Sequence, residues 1–252
     1  MWRDVGFDDS PRPIVLLHGF GQTGRCWGAF GDALAAAGPV TALDLPGHGA
    51  ASAVMADLPT TADLVAESID EPSVVIGYSF GGRVALHLAV RHPDRVAALV
   101  LVSATAGIDD EAERAARVAA DEALAARIEA EGVDAFVDEW LGLPMFAGLD
   151  EATQFVDERR SNSALGLSSS LRLAGTGAQE PLWDRLRALT MPVLVVAGQD
   201  DTKFAAIAEQ LAAGIGPTAT LAVVGGSGHS VHLEQPAATA DLVTAWIGAL
   251  KR

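Results

Sequence analysis

A single cysteine, Cys26, is all the thiol that the 252-residue chain carries. It cannot close an internal disulfide, and it supplies no zinc cluster. Basic residues are also scarce, with 17 Lys+Arg against 33 Asp+Glu and a formal net charge of −16. Binding nucleic acid irrespective of its sequence requires a basic footprint, and this balance offers none. No apolar run is long enough to cross a bilayer. The start, MWRDVGFDDSPRP, lacks the basic-then-apolar pattern of a signal peptide. What the chain does have is 50% hydrophobic residues and 20% charged ones, enough to bury a sizeable core. Its length fits one α/β domain, with room for an inserted lid, better than a string of small modules. These absences predict a soluble, cytoplasmic protein with no membrane insertion and no nucleic-acid partner, as a monomer or small homo-oligomer.

Six short apolar runs end in glycine-bearing turns: IVLLHG (14–19), PVTALDLPG (39–47), SVVIGYS (73–79), VAALVLVSA (96–104), PVLVVAGQD (192–200) and TLAVVGG (220–226). They are continuous rather than alternating, the pattern of strands buried on both faces. Helix-like stretches at 27–37, 60–70, 82–91, 202–213 and 234–250 lie between or after them. This alternation predicts an α/β fold with a mostly parallel sheet flanked by helices. From 107 to 183 the rhythm breaks. Only helical stretches (109–131, 133–140, 150–159) and the loop-like SSSLRLAGTGAQEP are found there, with 16 acids against 6 arginines. The interval reads as a helical cap inserted into a core made of 1–106 and 184–252, with most of its acids on a solvated face.

The strongest chemical signal is Gly77-Tyr78-Ser79-Phe80-Gly81. A G-x-S-x-G string alone is weak, but here the strand SVVI leads in and the helix-like GRVALHLAV leads out. Such an elbow holds the serine on a strained turn above the carboxyl ends of the strands, with glycines permitting close approach. A serine hydroxyl needs a neighbour to take its proton. His229, just after the last strand, is placed to do so, and His232 is its only rival. An acid must then orient the imidazole, and either Asp200 or Asp201 follows a strand end suitably. His18-Gly19-Phe20-Gly21 closes the first strand, and the N–H groups of Phe20 and Phe80 would form an oxyanion pocket. His48, His87 and His92, and Asp44 in its turn, read as structural. Cys26 reads as a partly buried small side chain rather than a nucleophile.

HGFG, DLPGHG, GYSFGG and GSGH, in this order and spacing, resemble the α/β-hydrolase superfamily over essentially the whole chain. The first strand lies so near the start that the fold's usual leading hairpin would be short or absent. A narrower resemblance rests on GYSFGGRVAL, ERAAR, DEWLGLPMF, RRSN, LRLAGTGAQEPLW, GQDDTKF and GHSVHLEQP. Together these are similar to the MenH-type 2-succinyl-6-hydroxy-2,4-cyclohexadiene-1-carboxylate synthases. The first and last of them occur in many esterases, whereas Gly-Thr-Gly-x-Gln with a downstream Trp, and D-x-K-F, are more restrictive. The resemblance selects Asp201, two positions before Lys203 and followed by Phe204, over Asp200. The chain departs from the family in having Gln199 where Glu is usual.

The resemblance implies a carbon–oxygen lyase of menaquinone biosynthesis, acting on a small anionic cyclohexene carboxylate. This substrate is 2-succinyl-5-enolpyruvyl-6-hydroxy-3-cyclohexene-1-carboxylate, which loses pyruvate. Ser79, activated by His229 and Asp201, would act as a general base with no acyl-enzyme, and neither metal nor organic cofactor is required. Three substrate carboxylates call for guanidinium partners. Arg83 lies one helical turn beyond Ser79. Arg117 and Arg160 match the family's carboxylate-binding positions, with Tyr78 and Trp140 also lining the site. The net charge opposes a trianion's approach, so the acids of 107–183 are expected to face solvent. Carboxylates crowded around Ser79 would count against this substrate. Two other functions compete: a serine carboxylesterase or thioesterase, which needs an apolar acyl slot, and a non-catalytic binding protein on the same fold.

Overall fold

A computed structural model describes residues 11–250. The expected short or absent leading hairpin falls in residues 1–10, outside the described residues.

All six apolar runs are strands: β1 (Ile14–Leu17), β2 (Val40–Leu43), β3 (Ser73–Tyr78), β4 (Val96–Val102), β5 (Val193–Gly198) and β6 (Ala219–Val224). They form one parallel sheet in the order β2-β1-β3-β4-β5-β6. The four inner strands are buried at every position, while the edge strands β2 and β6 are half exposed. Burial on both faces accounts for the continuous apolar runs of the inner strands, whereas β2 and β6 carry such runs at the sheet edges without being buried on both faces. Successive side chains alternate between two faces, and both faces of an inner strand are covered. On one face Leu17, Val75, Leu101 and Val195 pack with Val65, Val84 and Leu211 from α2 (Leu58–Glu67), α3 (Phe80–Arg91) and α8 (Thr202–Ile215). On the other, Leu16, Ile76, Val100 and Val196 pack with Phe30 of α1 (Gly28–Leu34) and Val243 of α10 (Pro236–Ala249).

Between β4 and β5 the described residues form no strand. They contain α4 (Glu111–Glu131), α5 (Val133–Leu141), α6 (Val156–Arg160) and α7 (Ala164–Ala174). Two readings of this segment require correction. The serine run expected to be loop belongs to α7, which is capped by Ser163, whose side chain accepts the Gly166 N–H at 3.0 Å. Ser168, Ser169 and Ser170 are buried, and Ser168 Oγ donates to Glu129 of α4, so packing overrides the weak helix preference of serine. The helix expected over 150–159 is confined to α6, because Asp150 accepts from both the N–H and the hydroxyl of Thr153 and closes a turn. The helix expected over 234–250 is α10, which Pro236 opens, and α9 (Val231–Glu234) is a separate single turn before it.

The first turn of α3 rests directly on the end of β1. The Gly81 N–H donates to the His18 carbonyl at 3.0 Å, and a Cβ on Gly81 would run into the Leu17 carbonyl. Gly81→Ala is therefore expected to lower the unfolding free energy by at least about 2 kcal/mol. A urea titration showing an unchanged midpoint would mean that strand and helix have room to part.

Candidate active site

The turn from β3 into α3 puts Ser79 at φ 50° and ψ −104°, a left-handed conformation costly for a residue with a side chain. Its N–H donates to the Val102 carbonyl of β4 and its carbonyl accepts from the Arg83 N–H, so the turn is fixed on both sides. His229, on the loop after β6, is buried; its Nε2 lies 3.2 Å from Ser79 Oγ and its Nδ1 2.7 Å from Asp201 Oδ2. Ser103 Oγ donates to the His229 carbonyl at 2.7 Å, tying that loop to β4, and the Phe204 ring meets the imidazole edge-on at 4.4 Å. Asp201 begins α8 and also accepts the Phe204 N–H at 3.1 Å. Burial works to push its pKa up, but the His229 and Phe204 hydrogen bonds and the charges of His229 and Lys203 outweigh it. Its carboxyl is held below the usual range and stays ionised. Asp200, by contrast, is exposed.

Above the serine opens a cavity of about 700 Å³. The three residues just described line it, as do Phe20, Phe80, Arg83, Arg117 and Trp140. Phe80 is the first residue of α3, so its N–H has no preceding turn to bond to. The N–H groups flanking Phe20 are occupied, Gly19 donating to Gln22 Oε1 at 2.9 Å and Gly21 to His48 Nε2 at 3.2 Å. Arg83 is 7% exposed and its Nη1 donates to the Ala174 carbonyl at the end of α7. Burial, with Arg117 nearby, makes its charge costly to hold, an environment that favours an incoming anion. Trp140 turns its ring toward Phe20 at 5.6 Å, and its indole N–H is buried without a partner.

Two residues expected at the site are elsewhere. Tyr78 is 3% exposed and lies behind the cavity, its hydroxyl 2.8 Å from Ser230 Oγ. It follows Gly77 on a strand buried on both faces, so its alternation sends it into the core while Ser79 turns out. Arg160 is exposed and paired with Asp138 at 2.6 Å and Asp134 at 3.7 Å on the outside of α6. Its neighbour Arg159 turns inward instead, 1% exposed, with both Nη atoms unpartnered beside Gly21 and Phe146. On this short helix both residues sit within one turn of the inward Val156, so helical phase does not choose between them. Lys203, which sequence reasoning used only to identify the acid, also lines the cavity. The acids lining it besides Asp201 are Asp109, Asp110 and Glu113, exposed residues where α4 begins.

Three of the other histidines are buried around the site without lining the cavity. His18 donates from Nδ1 to the Gly19 carbonyl and accepts the Leu45 N–H at Nε2. His48 donates to the Pro46 carbonyl and accepts the Gly21 N–H. His232, the rival base, is enclosed by Trp27, Phe30 and Tyr78. Burial pushes His18 down to about 4 and, with neighbouring positive groups, His48 and His232 down to about 3. Unfolded, all three titrate near 6.5, so below about pH 6.5 the unfolded chain binds more protons. The stability gained by keeping them neutral is complete above about pH 6.5 and is lost as pH falls toward about 4. Chemical denaturation is expected to give a stability lower at about pH 5 than at about pH 7.5 by on the order of 1 kcal/mol per histidine. A flat profile across that interval would show that the rings can be charged in place.

Among the described residues no group of histidine, cysteine and acidic side chains is arranged to hold a metal. The chain matches the alpha/beta hydrolase family over residues 14–242. It is 34% identical over 234 residues to the 2-succinyl-6-hydroxy-2,4-cyclohexadiene-1-carboxylate synthase of Enterobacter sp. (strain 638), covering 90% of this chain and 88% of that one. Among solved structures, MenH from S. aureus superposes with a TM-score of 0.90 at 28% identity, over 98% of this chain and 97% of that one. A thermophilic esterase from Thermogutta terrifontis, solved with malate bound, gives 0.82 at 25% identity, over 96% and 92%.

Proposed function

We infer the chemistry of the cavity from the premise that the chain belongs to the α/β-hydrolase family and, within it, to the 2-succinyl-6-hydroxy-2,4-cyclohexadiene-1-carboxylate synthases. It is a carbon–oxygen lyase of menaquinone biosynthesis that eliminates pyruvate from 2-succinyl-5-enolpyruvyl-6-hydroxy-3-cyclohexene-1-carboxylate. In our reading His229, oriented by Asp201, draws the proton from Ser79 Oγ, and the serine oxygen takes a ring proton from the substrate. The electron pair left on the ring moves through the existing ring double bond to give the 2,4-diene as the carbon–oxygen bond breaks. The enolpyruvyl group leaves as the enolate of pyruvate, and the proton then held on His229 passes to its methylene carbon, giving pyruvate and restoring the neutral Ser79–His229 pair. The N–H groups of Phe20 and Phe80 face the charge that develops on the substrate. No acyl-enzyme forms and no cofactor takes part.

The observation that carries this reading is the company Ser79 keeps. Arg83, Arg117 and Lys203 share its cavity, and a lyase acting on a tricarboxylate needs cations there. An esterase needs an apolar slot and gains nothing from guanidinium groups around the acyl site. The place assigned to Arg160 is not filled by its neighbour, since Arg159 is turned into the interior but is not among the residues that line the cavity. The segment 107–183 serves as the cap, contributing Arg117 and Trp140, and the described residues of 1–106 and 184–252 serve as the core. Among the described residues no helix is long and apolar enough to cross a membrane. We place the enzyme in the cytoplasm, as a monomer or small homo-oligomer without a nucleic-acid partner, on its biosynthetic relatives and its net charge of −16.

The test is pyruvate release from freshly made enolpyruvyl substrate. Wild type is expected to release it rapidly, while Ser79→Ala loses on the order of a thousandfold or more in rate. Arg83→Ala should lose roughly a hundredfold in kcat/KM, the loss of a charge-assisted pair, and Arg160→Ala should stay within about twofold. Release no faster than in buffer, together with Ser79-dependent cleavage of simple aryl esters, would overturn the lyase in favour of the esterase.

A further inference from the structure

One acid of the helical segment does not face solvent. Asp121 is 5% exposed, whereas the other acids of α4 are exposed. It accepts the Nε–H of Arg117, one turn earlier on the helix, at 2.7 Å, and its Oδ2 is buried with no hydrogen-bond partner. Its place is just behind the cavity wall, since a Cβ on the cavity-lining Gly175 would meet Asp121 Oδ2. Arg83 feels it as well, drawn by Asp121 and repelled by Arg117. An ordinary helix pair four residues apart leaves both partners in water and contributes little. Here the arginine side chain is 42% exposed and the carboxylate 6%. Burying a carboxylate with one oxygen unpartnered costs stability, and its charge opposes an anion in the adjacent cavity. Its geometry supplies what those costs leave unexplained. A guanidinium held through Nε keeps its Nη atoms available for a second carboxylate.

We propose that Asp121 is a positioning residue, holding Arg117 by Nε so that the Nη atoms face the cavity and meet a carboxylate of the substrate. It touches no reacting atom. The inference rests on the reading of the cavity as a site for a carboxylate-bearing ring. It predicts an effect opposite in sign to that of the charge alone, because removing a negative group beside an anion site should otherwise tighten binding.

The experiment measures binding of benzene-1,3,5-tricarboxylate by calorimetry to wild type, Asp121→Ala and Asp121→Asn. Reaction of Ser79 with a fluorophosphonate and thermal unfolding serve as controls for the fold. Asp121→Ala is expected to weaken binding about tenfold, and the amide of Asp121→Asn, which keeps the acceptor, to restore it to within about threefold of wild type. In pyruvate release the alanine variant should raise KM by a similar factor and leave kcat within about threefold. Unchanged or tighter binding by Asp121→Ala would overturn the proposal, as would equal weakening in both variants. A wild type that releases pyruvate but shows either pattern refutes the positioning role alone. A wild type that neither binds the tricarboxylate nor releases pyruvate refutes the reading of the cavity and this proposal together.

Discussion

The left-handed turn at Ser79 is unfavourable for a residue with a Cβ, and the chain holds it there through hydrogen bonds it cannot easily give up. The serine N–H is bonded to β4, its carbonyl begins the α3 ladder, and the Gly81 N–H is bonded to the end of β1. Two strands distant in sequence, together with the helix that follows, thus fix the turn, and the glycines let them approach closely enough to do so. From that point the Ser79 oxygen has one place to be, and the loops after β5 and β6 need only deliver Asp201 and His229 to it.

Charge is arranged on two scales. The chain as a whole is strongly acidic, yet most of the acids on the helical segment are spent on its outer surface, several in pairs with Arg127, Arg160 and Arg172. Such exposed pairs contribute little to stability. They do neutralise arginines that would otherwise compete with those in the cavity for an anion. Of the three cations that line the cavity, Arg83 is the buried one, and there a charge acts in a setting with less water and is worth more.

The sheet was legible because burial on both faces leaves an unmistakable trace, a continuous apolar run ending in glycine. The triad was legible for a related reason: its members lie at strand ends, where the turn residues mark position. Less was legible where the fold depends on helix-to-helix packing. The serine-rich stretch reads as loop until α4 is laid against it, when Ser168 finds Glu129. Arg159 and Arg160 are adjacent on one turn, and only the position of Asp138 and Asp134 across the groove shows which points outward. Tyr78 misled for the opposite reason. Its neighbour in sequence is in the site, but the pleat puts the tyrosine behind it.

The bond between Ser103 Oγ and the His229 carbonyl anchors the histidine loop to β4, so every reacting side chain is carried by the sheet and its immediate turns. Arg117 and Trp140 ride instead on α4 and α5, joined to that frame through contacts such as Arg83 with the Ala174 carbonyl. In the proposed reading, bond-making is confined to the sheet and its turns, while recognition is shared between that frame, through Arg83 and Lys203, and the helical segment, through Arg117 and Trp140. By the same token, substitutions confined to those helices can redirect the scaffold to another molecule while the relay stays intact.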